Sequence, residues 1–278
     1  MVPVRTRDRR THRAVRGFDR SARTYERGRP DYPPEAIRHL ARVLRLGPGR
    51  TIVELGSGTG KFTRALRPLG AALVPVEPTR GMRLEFGRRV PDLPVLDGTA
   101  EQIPVPDRFA DAVLVAQAFH WFRTRTALRE IARALRPGGG LGLVWNMRDE
   151  RVPWMREFTR ILDRYGRGIP RTRQRRWLRV FERGGVGFGP LHHRTFRHVQ
   201  RTDVPGVVAR ALSVSIVAVQ PPSEQRTVAR LVRELLARDP ETRGRRFVDI
   251  PYRTEVYWCR REGSRSTDHA ARTSHPYR

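Results

Sequence analysis

The segment Thr51-Ile52-Val53-Glu54-Leu55-Gly56-Ser57-Gly58-Thr59-Gly60-Lys61 constrains this chain more than any other. Its first five residues form a short β-branched run that reads as a buried strand. The glycines that follow let the backbone turn tightly and approach a ligand with no Cβ in the way. A helical pattern resumes at Lys61, and a helix start in that position offers free N–H groups and a positive dipole end.

The same alternation runs on through the chain. A helix is predicted over Ala36–Leu46, stopped by Gly47-Pro48-Gly49, then the strand Thr51–Leu55 and a helix over Lys61–Leu66. Ala72–Val76 is the next strand and Thr79–Val90 the next helix, closed by Pro91; Leu93–Leu96 is short and apolar. Phe109–Ala116 reads as a longer buried strand and Leu141–Trp145 as another. Between them Leu128, Ile131, Ala132 and Leu135 stripe a helix over Ala127–Arg136, ended by Pro137-Gly138-Gly139-Gly140. Strand–helix alternation with short connections predicts an α/β fold, a doubly wound and mostly parallel sheet with helices on both faces. Ligands of such sheets sit outside the carboxyl ends of the strands, where strand order reverses. Functional residues are therefore sought at Gly56–Gly60, Glu77, Asp97–Glu101, Gln117–Phe122 and Asn146–Asp149.

After Trp145 the pattern loosens. Helices are predicted over Glu157–Tyr165 and Val228–Ala237, and a strand over Thr195–Val199. Phe247–Ile250 and Glu255–Cys259 read as two strands of an edge hairpin joined through Pro251-Tyr252-Arg253. Residues 1–17 are Arg-rich and aperiodic, a predicted disordered basic arm, and 263–278 a polar, disordered tail. Residues 18–262 are expected to form one domain: a core over 50–150, a helical cap from the N-terminus and about 151–240, and edge strands over about 245–260.

Charge raises the question of a nucleic-acid partner, since 56 Lys plus Arg stand against 28 Asp plus Glu. Lys61 is the only lysine and Asn146 the only asparagine, a pairing that GC-rich coding produces by itself. Residues 1–50 carry 14 basic and 5 acidic side chains, 51–150 carry 14 and 11, and 151–278 carry 28 and 12. The predicted core is thus nearly neutral, which disfavours nucleic acid and leaves a modest preference for an anionic small molecule. One cysteine, Cys259, excludes a disulfide framework and a Cys-rich zinc site. His192, His193 and His198 lack a carboxylate or cysteine at ligand spacing, so no metal is expected. No apolar run approaches a membrane span, and the N-terminus lacks the apolar core of a secretory signal; a cytoplasmic protein is expected.

Three glycine motifs compete for Glu54–Gly60. A phosphate-binding P-loop needs glycine five residues before Gly60-Lys61 and Ser or Thr after it, where Leu55 and Phe62 stand. A dinucleotide fingerprint needs its third glycine one residue later. The remaining pattern, acidic-x-G-x-G-x-G with Glu77 ending the next strand, is that of S-adenosylmethionine binding.

In order along the chain come Phe18-Asp19, Tyr25 and Arg29-Pro30-Asp31-Tyr32-Pro33; Val53 to Lys61; Val76-Glu77-Pro78 with Met82-Arg83; and Gly98-Thr99-Ala100-Glu101. Ala116-Gln117-Ala118-Phe119-His120-Trp121-Phe122, Leu135-Arg136-Pro137-Gly138-Gly139, Trp145-Asn146 and Arg148-Asp149 complete the set. Over about residues 18–155 the chain resembles the class I S-adenosylmethionine-dependent methyltransferases with a type 11-like domain. The likeness is to the small-molecule group that includes trans-aconitate methyltransferase and, further off, the ubiquinone/menaquinone methyltransferases. It implies a Rossmann-like fold with a seven-stranded sheet, S-adenosyl-L-methionine as cofactor, and methyl transfer to oxygen or carbon of a small acceptor.

The resemblance implies that Gly56, Ser57, Gly58 and Gly60 form the loop against the cofactor's methionine and ribose, with Glu54 orienting that loop and meeting the amino group. Glu77 would accept both ribose hydroxyls, since a carboxylate offers two acceptor oxygens. Thr99, where related enzymes often carry Asp, would border the adenine with Ala100 and Glu101. Met82 would pack on its face, and Gln117 would floor the site beside the sulfonium. His120, after the fourth strand of the resemblance and titrating near neutrality in solution, is the candidate general base. Trp121 and Phe119 would wall the pocket, and Tyr25 and Arg29 would fold over it, Arg29 pairing with a carboxylate of cofactor or acceptor. The Asn-Pro-Pro-Tyr motif of amino-group methyltransferases is absent, and Cys259 lies far from the site. An RNA methyltransferase using the Arg-rich flanks, and a non-catalytic cofactor-binding protein of the same fold, are the alternatives.

Overall fold

The computed structural model describes residues 22–166, 176–182 and 186–262. The predicted arm 1–17 and tail 263–278, and Phe18-Asp19, lie outside them. Residues 22–28 form helix α1, followed by α2 (Pro34–Leu44), β1 (Thr51–Leu55), α3 (Lys61–Leu66), β2 (Ala72–Val76), α4 (Arg80–Arg89) and β3 (Ala110–Ala116). Then come α5 (Thr124–Ala134), β4 (Leu135–Arg148), α6 (Pro153–Asp163), α7 (Arg179–Glu182) and β5 (His192–Asp203). The last elements are α8 (Val204–Leu212), α9 (Ser215–Ala218), α10 (Pro222–Arg238) and β6 (Phe247–Arg260).

The strands form one six-stranded sheet in the order β2-β1-β3-β4-β6-β5. β1 pairs in parallel with β2 and β3, and β3 with β4, while β6 runs antiparallel between β4 and β5. Connections leave β1 on one side for β2 and arrive on the other as β3, so strand order reverses at the β1/β3 pair. The fold is the doubly wound, Rossmann-like α/β fold, with helices on both faces.

Side-chain alternation explains how both faces fill. On β3, Val113 and Val115 join the layer with α5, while Ala112, Leu114 and Ala116 join the layer with α2 and α3; all are buried. A strand covered twice reads as a continuous apolar run, as Ala112–Ala116 does. Each fully buried Leu or Val contributes about 1.5–3 kcal/mol, so this central strand is the fold's main anchor. A third apolar cluster joins α6, α8 and α10 to Val248, Ile250 and Tyr252 at the start of β6.

Two predictions are corrected. Among the described residues the sheet has six strands, not the seven that the resemblance implies, and the short apolar Leu93–Leu96 contributes a single bridge, Val76 to Leu96. Leu96 donates to the Pro75 carbonyl at 2.9 Å and accepts from the Glu77 N–H at 3.0 Å, but Pro94 lacks the donor a longer ladder needs. The edge hairpin is also absent, because Phe247–Arg260 is one continuous strand. Pro251 is tolerated there because β4 pairs with β6 only as far as Arg148 opposite Tyr252; beyond it the Pro251 carbonyl accepts from the Asp149 N–H at 3.0 Å.

Smaller shifts have local causes. Helix α2 ends at Leu44 because Arg45 takes the left-handed conformation, φ 57°, as its C-cap. The Pro137–Gly140 run does not end α5 but lies within β4, which begins at Leu135 with an irregular register against Ala110–Ala112.

Candidate functional site

At the strand-order reversal the turn after β1, the end of β2 and the turn after β3 meet around a cleft. Among the residues of the sequence prediction, Gly56, Gly58, Glu77, Met82, Thr99, Ala100, Glu101 and Gln117 line it, together with Tyr25 and Trp121. Leu55, Val76, Pro78, Thr79, Gly98 and Phe122 line it as well. Position after a strand would have found Pro78 and Thr79.

The β1 turn is bent by left-handed glycines, Gly56 at φ 68° and Gly58 at φ 58°. A Cβ on Gly56 would lie 2.7 Å from the Ala118 Cβ, so the β1 and β3 turns touch there. Gly56 and Ser57 both donate to the Val76 carbonyl, at 2.8 and 3.1 Å, which ties the turn to β2. In front of Gly58 a Cβ would meet nothing closer than 4.0 Å, leaving a bare backbone wall.

Glu77 ends β2 with its carboxylate held by two backbone donors, Gly58 N–H to Oε2 at 3.0 Å and Thr79 N–H to Oε1 at 2.9 Å. Burial raises its pKa, and the hydrogen bonds from Thr79 and Gly58 oppose that rise. The Thr79 side chain donates to it as well, which leaves about one of the carboxylate's four lone-pair positions open. Glu54 lies behind the turn, buried, where it accepts from Thr63 Oγ1 at 2.6 Å. Burial pushes its pKa up to about 8; the Thr63 hydrogen bond opposes this and the nearby Glu77 adds to it.

Ser57 and Gly60 stand back from the cleft. Ser57 is buried, and its hydroxyl oxygen has no partner among the described residues. Gly60 starts α3 at φ 83° and packs on α4: a Cβ would lie 2.9 Å from Val90 and 3.0 Å from Phe86. Glu101 lines the cleft while its Oε1 accepts the N–H of Arg123, the N-cap of α5, at 2.7 Å.

On the β3 side, Gln117 adopts φ 59°, rare for a residue with a side chain, and donates its backbone N–H to Val144 O at 2.8 Å. That twist turns its side chain into the cleft. Trp121 follows in a single 3-10 turn, Phe119–Trp121. Phe119 is fully buried against Trp177 and Phe122 and belongs to the core.

His120 does not line the cleft. Its Nδ1 faces the Trp145 indole N–H at 3.5 Å, and its ring tilts on Trp121 with centroids 4.9 Å apart. Burial, with a smaller push from Arg29, lowers its pKa to about 3, so the sequence-based titration near neutrality is corrected. Arg29 lies behind Tyr25, its guanidinium 4.8 Å over that ring. Sequence reasoning missed Arg210, a buried arginine on α8 near Arg29, because nothing in the sequence marks it among so many arginines.

Among the described residues no helix is long and apolar enough to cross a membrane, and no group of three or more His, Cys, Asp or Glu is placed to hold a metal ion.

Residues 53–143 match the family model described as a methyltransferase domain. An uncharacterised methyltransferase of Mycobacterium tuberculosis is 48% identical over 149 residues, 54% of this chain and 60% of that protein. The chain thus spans less than two thirds of the mycobacterial relative it matches. An uncharacterised methyltransferase-like protein of Schizosaccharomyces pombe is 31% identical over 249 residues, 89% of this chain and 96% of that one. A demethylmenaquinone methyltransferase of Mycolicibacterium paratuberculosis is 36% identical over 134 residues, 45% of this chain and 55% of that protein. In structure, a putative methyltransferase from an antibiotic biosynthesis pathway of Anabaena variabilis matches with a TM-score of 0.56 and 20% identity, over 83% of this chain and 98% of that one.

Proposed function

Because this chain belongs to the class I methyltransferases, we propose that it moves a methyl group from S-adenosyl-L-methionine to oxygen or carbon of a small-molecule acceptor. The Glu77 carboxylate carries this reading: it is buried at the cleft, fixed by the Gly58 and Thr79 N–H groups. With three protein donors on it, it has acceptor capacity left for one hydroxyl of a ribose. The residues present suit the cofactor. The Ser57 hydroxyl lacks a partner, Gly58 offers open backbone, and Met82 and Ala100 give the lining apolar surface. Glu54, its pKa pushed up to about 8 by burial and further by the charge of Glu77, would be held as a carboxylate by a cation nearby, as the amino group of a bound amino acid supplies.

The cofactor supplies a carbon already activated by positive sulfur, and this chain's residues orient and enclose the acceptor. Gln117 and Trp121 floor and wall the acceptor end, and Tyr25 covers it from α1. Held neutral by burial, His120 positions Trp121 through ring contact rather than collecting a proton. The demethylmenaquinone methyltransferase likeness supports a small-molecule acceptor, and the near-neutral core supports it further.

Titration calorimetry with S-adenosylhomocysteine tests the reading, with saturation expected in the micromolar range; no heat at high micromolar concentration would remove it. Glu77→Ala should weaken binding about 10- to 100-fold, the loss of one or two hydrogen bonds to a charged acceptor. Unchanged affinity would remove the ribose assignment.

A further inference from the structure

We propose that Arg29 and Arg210 form an oxyanion subsite that takes the carboxylate or phosphate of the methyl acceptor. The inference rests on the methyltransferase reading for the acceptor's identity, but the subsite itself is built from groups that the cofactor cleft does not use.

The pair is brought together by a close helix contact. Gly28, the last residue of α1, faces the α8 backbone so tightly that a Cβ would lie 2.5 Å from Ala209 O and 2.7 Å from Arg210 N. That contact sets Arg29 beside α8, where its Nη2 donates to Ser213 O at 2.9 Å. Its Nε is buried and has no partner among the described residues. Arg210 is only 3% exposed. Its Nε donates to the Tyr252 hydroxyl at 2.8 Å, and its Nη1 is buried with no partner among the described residues. Two guanidinium groups thus each keep a buried, unused donor.

Neighbouring acids do not neutralise them. Asp31 pairs with Lys61 at 2.9 Å, and Glu26 pairs with Arg64 at 2.6 Å while accepting the Thr59 hydroxyl at 2.5 Å. Among the described residues no carboxylate forms an ion pair with either arginine. Burial and then the charge of Arg210 push the Arg29 pKa down to about 10. Like charges held together out of water, each with an unmet donor, destabilise a fold unless something else requires them. An oxyanion between two planar forks would satisfy both donors and cancel the repulsion.

Placement ties the pair to the acceptor rather than to the adenine end. Arg29 lies over Tyr25, which lines the cleft alongside Gly56, Gln117 and Trp121, and its charge reaches His120 beyond the β3 turn. Tyr252, from β6, fixes Arg210 and in turn donates to Gln200 Oε1 at 3.2 Å on β5. Arg210 and Tyr252 therefore bring to the subsite the segments after the run of motifs, where an acceptor preference would be written.

Thermal melting of the full chain in anion-poor buffer tests the proposal, with benzoate, inorganic phosphate and neutral benzamide as probes. Benzoate or phosphate should raise the melting temperature, with at least about tenfold tighter apparent affinity than benzamide; which of the two acts identifies the oxyanion. Arg210→Met should match or exceed the parent's melting temperature without anion, since it removes a buried charge, and should abolish the oxyanion response. Arg29→Met, at the less buried partner, should also abolish it and keeps the test readable if the α8 change unfolds the chain. No oxyanion response in the parent, or a response that survives Arg29→Met, overturns the proposal. Each titration is run with and without S-adenosylhomocysteine. A chain that responds to oxyanion but binds no S-adenosylhomocysteine overturns the cofactor reading alone; the reverse overturns the subsite alone.

Discussion

His120 shows how far enclosure moves a side chain from its solution chemistry. Its pKa of about 3 leaves the imidazole neutral through the physiological range. The unfolded chain takes up that proton below the ordinary value of 6.5, while the folded chain does so only near 3. Folding stability therefore falls as pH drops from 6.5 toward 3. His120→Asn should flatten that fall by roughly 1–2 kcal/mol between pH 7.5 and 5, read from urea midpoints. The pH profile of methyl transfer should show no inflection from this residue between pH 5 and 8. Glu77 and Gly56 were legible in the sequence because motif spacing and strand ends place them. The depressed basicity of His120 was not, because it depends on what the fold packs around the ring. Arg29 was marked by its place in the N-terminal signature, but Arg210 was hidden for a third reason: its meaning lies in lacking an acid, and a contact absent in space leaves no mark on a sequence.

At the scale of elements, the turn between β1 and α3 is where local geometry and site geometry coincide. Gly56→Ala would place a methyl group 2.7 Å from Ala118 in a left-handed backbone. Backbone strain plus overpacking should destabilise by about 2–4 kcal/mol, lowering the melting temperature by roughly 4–14 °C. S-adenosylhomocysteine affinity should fall with it, because the β1 and β3 turns are then forced apart. The strands of the central sheet were readable since burial on both faces leaves them continuously apolar. The last two, β5 and β6, were readable only in part. In β5, exposed and half-buried residues alternate along a basic stretch, and β6 contains a proline whose tolerance depends on where β4 stops. The short apolar Leu93–Leu96 segment adds only a bridge, because donors decide pairing and Pro94 removes one.

For the whole molecule, the arginine excess acquires a structural address at the far edge of the sheet. β5 is the last strand in the order, paired only with β6 among the described residues. Arg194, Arg197 and Arg201 are exposed along it. Arg201 lies 5.5 Å over Phe247, which is 44% exposed, and Val199, between Arg197 and Arg201 along β5, is 54% exposed. A 12-residue edge with apolar side chains showing is a ready template for another chain's backbone, and positive charge repels an identical copy from it. Replacing Arg194, Arg197 and Arg201 with threonine should therefore raise the association state and the light scattered at a given concentration, above the parent chain and with little change in melting temperature. Equal scattering from parent and variant would show that these charges do not guard the edge. The same residues that give the chain the look of a polyanion binder would then serve as gatekeepers, keeping an unfinished sheet from growing into its neighbour.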